Sequence, residues 1–208
     1  MIRSLVFDIG MVLAEFRWKS LMEELGFSPE TIRRVSQATV LGPWWNEFDR
    51  SLLSDEEIIR HCVSLAPECE PQIRLFFDSV GHSCREYPYA YDWLRKYHDE
   101  GYGIYLLSNY SRKSFLATDP PYRFLSLVDG GIISYQVRMI KPEPGIFRAL
   151  FERFDLQPSA CILVDDNPAN IAAAETVGMH TVLHSTYEQS DAEIRRLLGI
   201  HNDYTNCG

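Results

Sequence analysis

Long apolar runs are missing from this 208-residue chain; none approaches the roughly 18 consecutive apolar residues of a membrane helix. The opening MIRSLVFDIG carries only a short apolar stretch, cut by Asp8, with no small-residue cleavage pattern after it. A signal peptide is therefore not expected. Basic clusters are missing as well. The formal charge is −9, and no run of Lys and Arg occurs, which argues against a nucleic-acid-binding face. Cysteine is sparse: Cys62, Cys69, Cys84, Cys161 and Cys207 are odd in number, scattered, and form no CxxC pair. Neither a disulfide framework nor a cysteine metal cluster is expected, and reduced thiols in a cytoplasmic setting fit this usage. Internal repeats and low-complexity tracts are absent too. What is present is ample core material, 46% apolar residues with 12% aromatics, in a length that fits one domain or one domain with a sizeable insertion.

Five short runs bounded by turns read as buried strands: Ser4–Asp8, Gly103–Ser108, Ile132–Gln136, Cys161–Asp165 and His180–His184. Continuous apolar stretches such as Ile104–Leu107 and Cys161–Val164 suit strands covered on both faces, as in a parallel sheet. Helical patterns lie between them. Tyr91, Leu94 and Tyr97 share one face, and Ile146, Phe147, Leu150, Phe151 and Phe154 form an apolar stripe. Pro168 opens the next helix and Gly178 closes it. This alternation predicts an α/β fold with a doubly wound parallel sheet, whose ligands bind at the carboxyl ends of the strands.

The segment from about Phe16 to Cys84 has no strand-like run and four helical stretches. Ser28-Pro29-Glu30 is a helix start, and Ser54-Asp55-Glu56-Glu57 is a capping box. The expected organisation is an α/β core from residues 1–15 and 86–200, an inserted all-helical cap at 16–85, and a loose tail at 201–208.

Polar residues gather at the ends of the expected strands. Strand one ends in Asp8, the second in Ser108-Asn109, the fourth in Asp165-Asp166-Asn167, and Lys141-Pro142-Glu143-Pro144 precedes a helix. Each alone is ordinary turn or capping chemistry. The four together make a phosphoryl-transfer site. A carboxylate nucleophile needs in-line access to phosphorus. Magnesium takes hard oxygen ligands, which Asp8, Asp166 and the Gly10 main-chain carbonyl can offer. Ser108, with neighbouring main-chain N–H groups, can hold a phosphate oxygen. Lys141 balances the carboxylates and the charge that develops in the transition state.

In these motifs the chain resembles the haloacid dehalogenase superfamily of hydrolases. The four family motifs stand here as Asp8-Ile9-Gly10-Met11-Val12, Leu107-Ser108-Asn109, Lys141-Pro142-Glu143-Pro144 and Val164-Asp165-Asp166-Asn167-Pro168-Ala169-Asn170. A helical insert between the first two matches the subfamily with a small helical-bundle cap. The resemblance implies Asp8 as nucleophile, Ser108 as phosphate anchor, Lys141 as charge balancer and Asp166 as direct Mg²⁺ ligand. Asp165 and Asn170 would position the ligands from behind or reach the metal through water.

One position departs from the pattern. The family's phosphatases carry a second Asp two residues after the nucleophile, as general acid and base; here that position is Gly10. Losing such an acid typically costs ~10²–10⁴ in rate. The loss matters least when the leaving oxygen is intrinsically acidic, as at the anomeric carbon of a sugar phosphate. The DxG form resembles that of bacterial α-glucose-1-phosphate phosphatases. Of the insert's polar and aromatic groups (Glu15, Arg17, Trp18, Trp45, Asn46, Glu47, His82), Trp45 and Glu47 are candidate substrate contacts along with Ser108, Asn109 and Lys141. Glu15 and Glu47 are the candidates for a displaced acid. The leading expectation is a Mg²⁺-dependent phosphatase acting on a small phosphorylated metabolite, a hexose 1-phosphate above all, as a monomer or weak homodimer. The alternatives are a catalytically impaired relative that binds a phosphometabolite or a protein, and a 2-haloacid dehalogenase, against which the Asp165-Asp166 metal pair speaks.

Overall fold

The computed structural model describes residues 1–200; the expected tail at 201–208, with Cys207, lies outside the described residues. The elements run β1 (Ser4–Phe7), β2 (Ala14–Phe16), α1 (Trp18–Glu24), α2 (Pro29–Ala38), α3 (Trp45–Arg50), α4 (Asp55–Leu65), α5 (Glu70–Asp78), β3 (Cys84–Glu86), α6 (Ala90–Asp99), β4 (Gly103–Ser108), α7 (Arg112–Leu116), β5 (Gly130–Ile133), α8 (Ser134–Val137), α9 (Pro144–Phe154), β6 (Cys161–Asp165), α10 (Pro168–Thr176), β7 (His180–Leu183) and α11 (Tyr187–Leu198).

Five strands form one parallel sheet in the order β5-β4-β1-β6-β7. β1 is first in sequence and central in space. From it the chain first builds β4 and β5 on one side, then returns to lay β6 and β7 on the other. The strand order reverses at the carboxyl end of β1, the switch point where open α/β sheets bind ligands. Period-two alternation sends Leu5 and Phe7 to one face and Val6 to the other. The first face packs with Trp93, Leu94 and Tyr97 of α6 and Ile194 of α11; the second with Ile146, Phe147 and Leu150 of α9 and Ala174 of α10. On α6 the buried stripe is Ala90, Trp93, Leu94 and Tyr97, so the helix is rotated slightly from the expected Tyr91 stripe. Tyr91 lies half-buried under the Arg123 guanidinium. Phe147 is completely buried in the second face. Phe147→Ala is expected to cost about 3–5 kcal/mol through lost transfer energy and the cavity left behind; urea unfolding measures it.

The third strand differs from expectation. It runs Gly130–Ile133 and stops where Ser134 starts α8, whereas the sequence suggests Ile132–Gln136. The two glycines hide its start, since glycine reads as a strand breaker. Here they are required by crowding. A Cβ on Gly130 would come within 2.3 Å of the Phe154 ring, and one on Gly131 within 2.7 Å of the Leu106 carbonyl. At the other end, the Gln136 side chain accepts from Ile133 N–H and turns the chain into the helix.

Residues 18–78 hold five α-helices where the pattern distinguishes four, with a separate apolar core that includes Met22, Val35, Phe48, Ile73, Phe76 and Phe77. The expected helix starts are present: Ser28 accepts from Thr31 N–H, and Ser54 and Glu57 cap each other's backbone amides. A short antiparallel ribbon of β2 and β3 carries the chain into and out of this region; strands of three residues leave no legible period. Cys62, Cys69, Cys84 and Cys161 are buried and unpaired. Among the described residues no helix is long and apolar enough to cross a membrane.

Candidate active site

The carboxyl end of β1 delivers Asp8 to the switch point. Its amide donates to the Val164 carbonyl of β6 at 3.0 Å, which fixes the backbone, and its Oδ1 accepts from Ile9 N–H at 2.7 Å. The chain then folds into a tight turn, with the amides of Val12, Leu13 and Ala14 all donating to the Ile9 carbonyl. Gly10 forms part of this turn. A Cβ built on it would meet nothing within 4 Å, so the space in front of it is open.

Lys141 lies behind Asp8, with a side chain that is fully buried. Its Nζ is 3.1 Å from Asp8 Oδ1 and donates to Asp165 Oδ2 at 2.5 Å. Asn109 clamps the lysine's backbone: its Oδ1 accepts from Lys141 N–H at 2.8 Å and its Nδ2 donates to the Lys141 carbonyl at 3.0 Å. The side chain of Asn109 thus positions Lys141. Its second Nδ2 hydrogen and its main-chain N–H remain for the substrate contact that the sequence suggests.

Asp165 is likewise enclosed. It accepts from Lys141 Nζ, Asn167 N–H and Asn170 Nδ2. Its neighbour Asp166 is exposed. Ser108 ends β4, beside β1 and just past the level of Asp8. Its hydroxyl is buried, makes no hydrogen bond of standard geometry among the described residues, and lies close enough to the Asp8 carboxylate to help hold that group's pKa down.

Electrostatics identify what this cluster lacks. Asp8, Asp165 and Asp166 offer oxygen atoms within 4.8 Å of one another. Burial raises the Asp8 carboxyl to about 6 although Lys141 pulls it down, and Asp165 adds to the rise. Burial, helped by Asp165, also holds Asp166 above the usual carboxylate range. Burial alone would lower Lys141; the carboxylates outweigh it and keep the ammonium above its ordinary value. Three carboxylates against one ammonium leave an excess of negative charge. A hard divalent cation with oxygen ligands fits that excess.

A cavity of about 200 Å³ opens in front of the cluster. Asp8, Gly10, Asn109 and Asp166 line it from the sheet, Phe16 and Trp45 from the ribbon and the insert, and Cys84 and Tyr110 from its far side. Trp45 supplies an aromatic wall, set against Phe16, Phe48, Phe76 and Phe77. Glu47 does not line this cavity; it pairs with Arg50 at 3.1 Å. Glu15 is exposed on β2 and lies outside the lining too. Neither carboxylate proposed from the sequence as a displaced acid reaches the site. The carboxylate that does line it is Asp49 of α3, which sequence reasoning missed. The signal that could have found it is the helical spacing of Trp45 and Asp49 (i, i+4), which places both on one face of α3.

A model of the haloacid dehalogenase-like hydrolase family matches residues 18–178. The chain belongs to this family. A sesquiterpene phosphatase, astK of Aspergillus oryzae, is 23% identical over 198 residues, covering 95% of this chain and 97% of that protein. Against two further relatives, 26% and 23% identical, the chain spans only 15% and 37% of their lengths. Among solved structures, a HAD-like hydrolase of Porphyromonas gingivalis superposes with a TM-score of 0.73 at 26% identity, over 95% of this chain and 98% of that one. A HAD family enzyme of Bacteroides thetaiotaomicron, solved with magnesium and inorganic phosphate, gives 0.72 at 24% identity, over 94% and 100%.

Proposed function

We propose that this hydrolase is a Mg²⁺-dependent phosphatase acting on a small phosphorylated metabolite through an aspartyl-phosphate at Asp8. The observation that carries the reading is the arrangement around Asp8: Lys141 3.1 Å behind it, a buried Ser108 hydroxyl beside it, and open cavity in front. Asp8 and Asp166, with the Gly10 main-chain carbonyl, would hold magnesium, and Asp165 would steady them from behind. When bound, the cation supplies positive charge against the carboxylates and a phosphate oxygen. Ser108 Oγ then donates to a phosphate oxygen. An Asp8 carboxylate oxygen attacks phosphorus in line, and Lys141 stabilises the charge spread over the transferred group. The helical insert acts as a cap that excludes water from the reacting atoms.

The cavity, about 200 Å³, falls below the ≈ 300–1,000 Å³ of sites that bury drug-sized ligands. That favours a compact leaving group, with a hexose 1-phosphate first in order of test, over a sesquiterpenyl chain. The aromatic wall of Phe16 and Trp45 suits the apolar face of a sugar ring.

The testing experiment is phosphate release from a panel of phosphometabolites, with Mg²⁺ and with EDTA. Turnover is expected with Mg²⁺, falling to background in EDTA and returning on adding Mg²⁺. Protons compete for the raised Asp8 carboxylate, so apparent Mg²⁺ affinity is expected to weaken as pH falls through about 6. Silence on every substrate, or full activity in EDTA, would reject the reading; silence together with phosphate-dependent thermal stabilisation would leave a binding module.

A further inference from the structure

The missing carboxylate of the first motif leaves a chemical gap in the phosphatase reading, on which this inference rests. A dianionic ester with an alkyl leaving group needs a proton on the departing oxygen, and position 10 is a glycine. The opposite wall of the same cavity bears a carboxyl group. Asp49 projects from α3, a helix held against the core at three points. Ser134 Oγ donates to the Asp49 main-chain carbonyl at 2.7 Å, Arg112 N–H donates to Ser51 Oγ at 3.2 Å, and Arg50 forms a bidentate pair with Glu143. Asp49 is thus fixed in place, lining the cavity together with Asp8 and Gly10. The volume that a position-10 side chain would occupy is open.

We propose that Asp49 is the general acid and base of this enzyme, supplying from the insert what Gly10 lacks. In the first step an Asp8 oxygen bonds to phosphorus as the ester P–O bond breaks. The bonding pair goes to the leaving oxygen, which takes the Asp49 proton and departs as the alcohol. In the second step the Asp49 carboxylate accepts a proton from water as its oxygen bonds to phosphorus and the Asp8–phosphorus bond breaks. Inorganic phosphate leaves, and Asp8 and Asp49 return to their starting states. The ionisation state is consistent with this role. Burial pushes Asp49 up to about 8, against the opposing Ser111 N–H, which favours the protonated form that the first step needs. Because the acid belongs to the insert, the site is complete only when α3 lies over the sheet edge.

The test uses the full chain with Mg²⁺ and two probes, p-nitrophenyl phosphate, whose leaving group is acidic, and glycerol 2-phosphate, whose leaving group is not. Asp49→Asn is expected to lower kcat on glycerol phosphate by ~10²–10³ with little change in KM, and to lower it on p-nitrophenyl phosphate by about tenfold or less. A structural defect would lower both alike. Gly10→Asp in the Asp49→Asn background is expected to recover much of the glycerol phosphate activity, since the added side chain enters open space. Equal losses on both probes, or no loss on glycerol phosphate while Asp8→Asn is dead, overturn the assignment of Asp49 and leave the phosphatase reading standing. No phosphate release from either probe by a wild type that is silent on the phosphometabolite panel as well overturns both.

Discussion

Replacing Asp8 by Asn is expected to reduce phosphate release by on the order of 10⁴–10⁶-fold, the scale seen when an enzyme's nucleophile is removed, with the fold intact. The substitution is nearly isosteric, and its Oδ1 still accepts from Ile9 N–H, which anchors the turn after β1. What is lost is the anionic oxygen that must bond to phosphorus. An amide is a poor nucleophile and a weaker metal ligand, so both parts of the site's chemistry fail together. Acid-quenched wild type incubated with substrate should carry a phosphoryl group on the peptide containing Asp8, read by mass, and the variant should carry none. A phosphorylated peptide from the variant would move the nucleophile elsewhere.

The second large effect is on stability. Lys141→Met is expected to cost about 3–5 kcal/mol at neutral pH, because removing one partner of a buried ion pair strands the other charge. Here it strands two, since the fully buried ammonium touches both Asp8, at the cavity's edge, and the fully buried Asp165. The sign of the pH dependence follows. Lys141 opposes the rise of Asp8, so without the lysine that carboxyl is raised further, and the folded variant binds protons more readily than its unfolded chain. Stability therefore increases as pH falls through the raised values, and the deficit against wild type shrinks toward acid. Denaturant unfolding at pH 7 and pH 5 measures it. A cost that is the same at both pH values would show that the stranded charges are not its origin. Adding Asp165→Asn to Lys141→Met should recover part of the loss, because one of the two stranded charges is removed.

How legible the molecule was in its sequence can be judged from particular residues. The parallel sheet was readable because Leu5–Phe7, Ile104–Leu107 and Cys161–Val164 are buried on both faces and so carry continuous apolar runs. The carboxyl ends of those strands marked the site for the same reason. The third strand was displaced by two residues, since Gly130 and Gly131 are selected by close contacts with Phe154 and Leu106 that no local pattern reveals. The ribbon of β2 and β3 was invisible because its pairing joins residues about 70 positions apart over lengths too short to show a period. Within the site, residues presented by single strand ends or a motif loop, such as Asp8, Ser108, Lys141 and Asp166, were identified as candidates. Asp49 was not, because its place in the cavity depends on how the insert docks. Asn109 lay in the right motif but with a different partner: tertiary structure turned its amide onto the Lys141 backbone.

The Arg50–Glu143 pair couples two parts of the protein that carry different duties. Arg50 follows Asp49 on α3, while Glu143 stands just before the first residue of α9, two residues after Lys141. An outward swing of the insert would part this pair together with the Ser134–Asp49 and Arg112–Ser51 hydrogen bonds, so the pair is one latch of three. The latch is partly exposed and ionic, hence screened by salt. Ionic strength is therefore expected to set how firmly the insert is held against the core: dilute buffer strengthens the pair and concentrated salt loosens it.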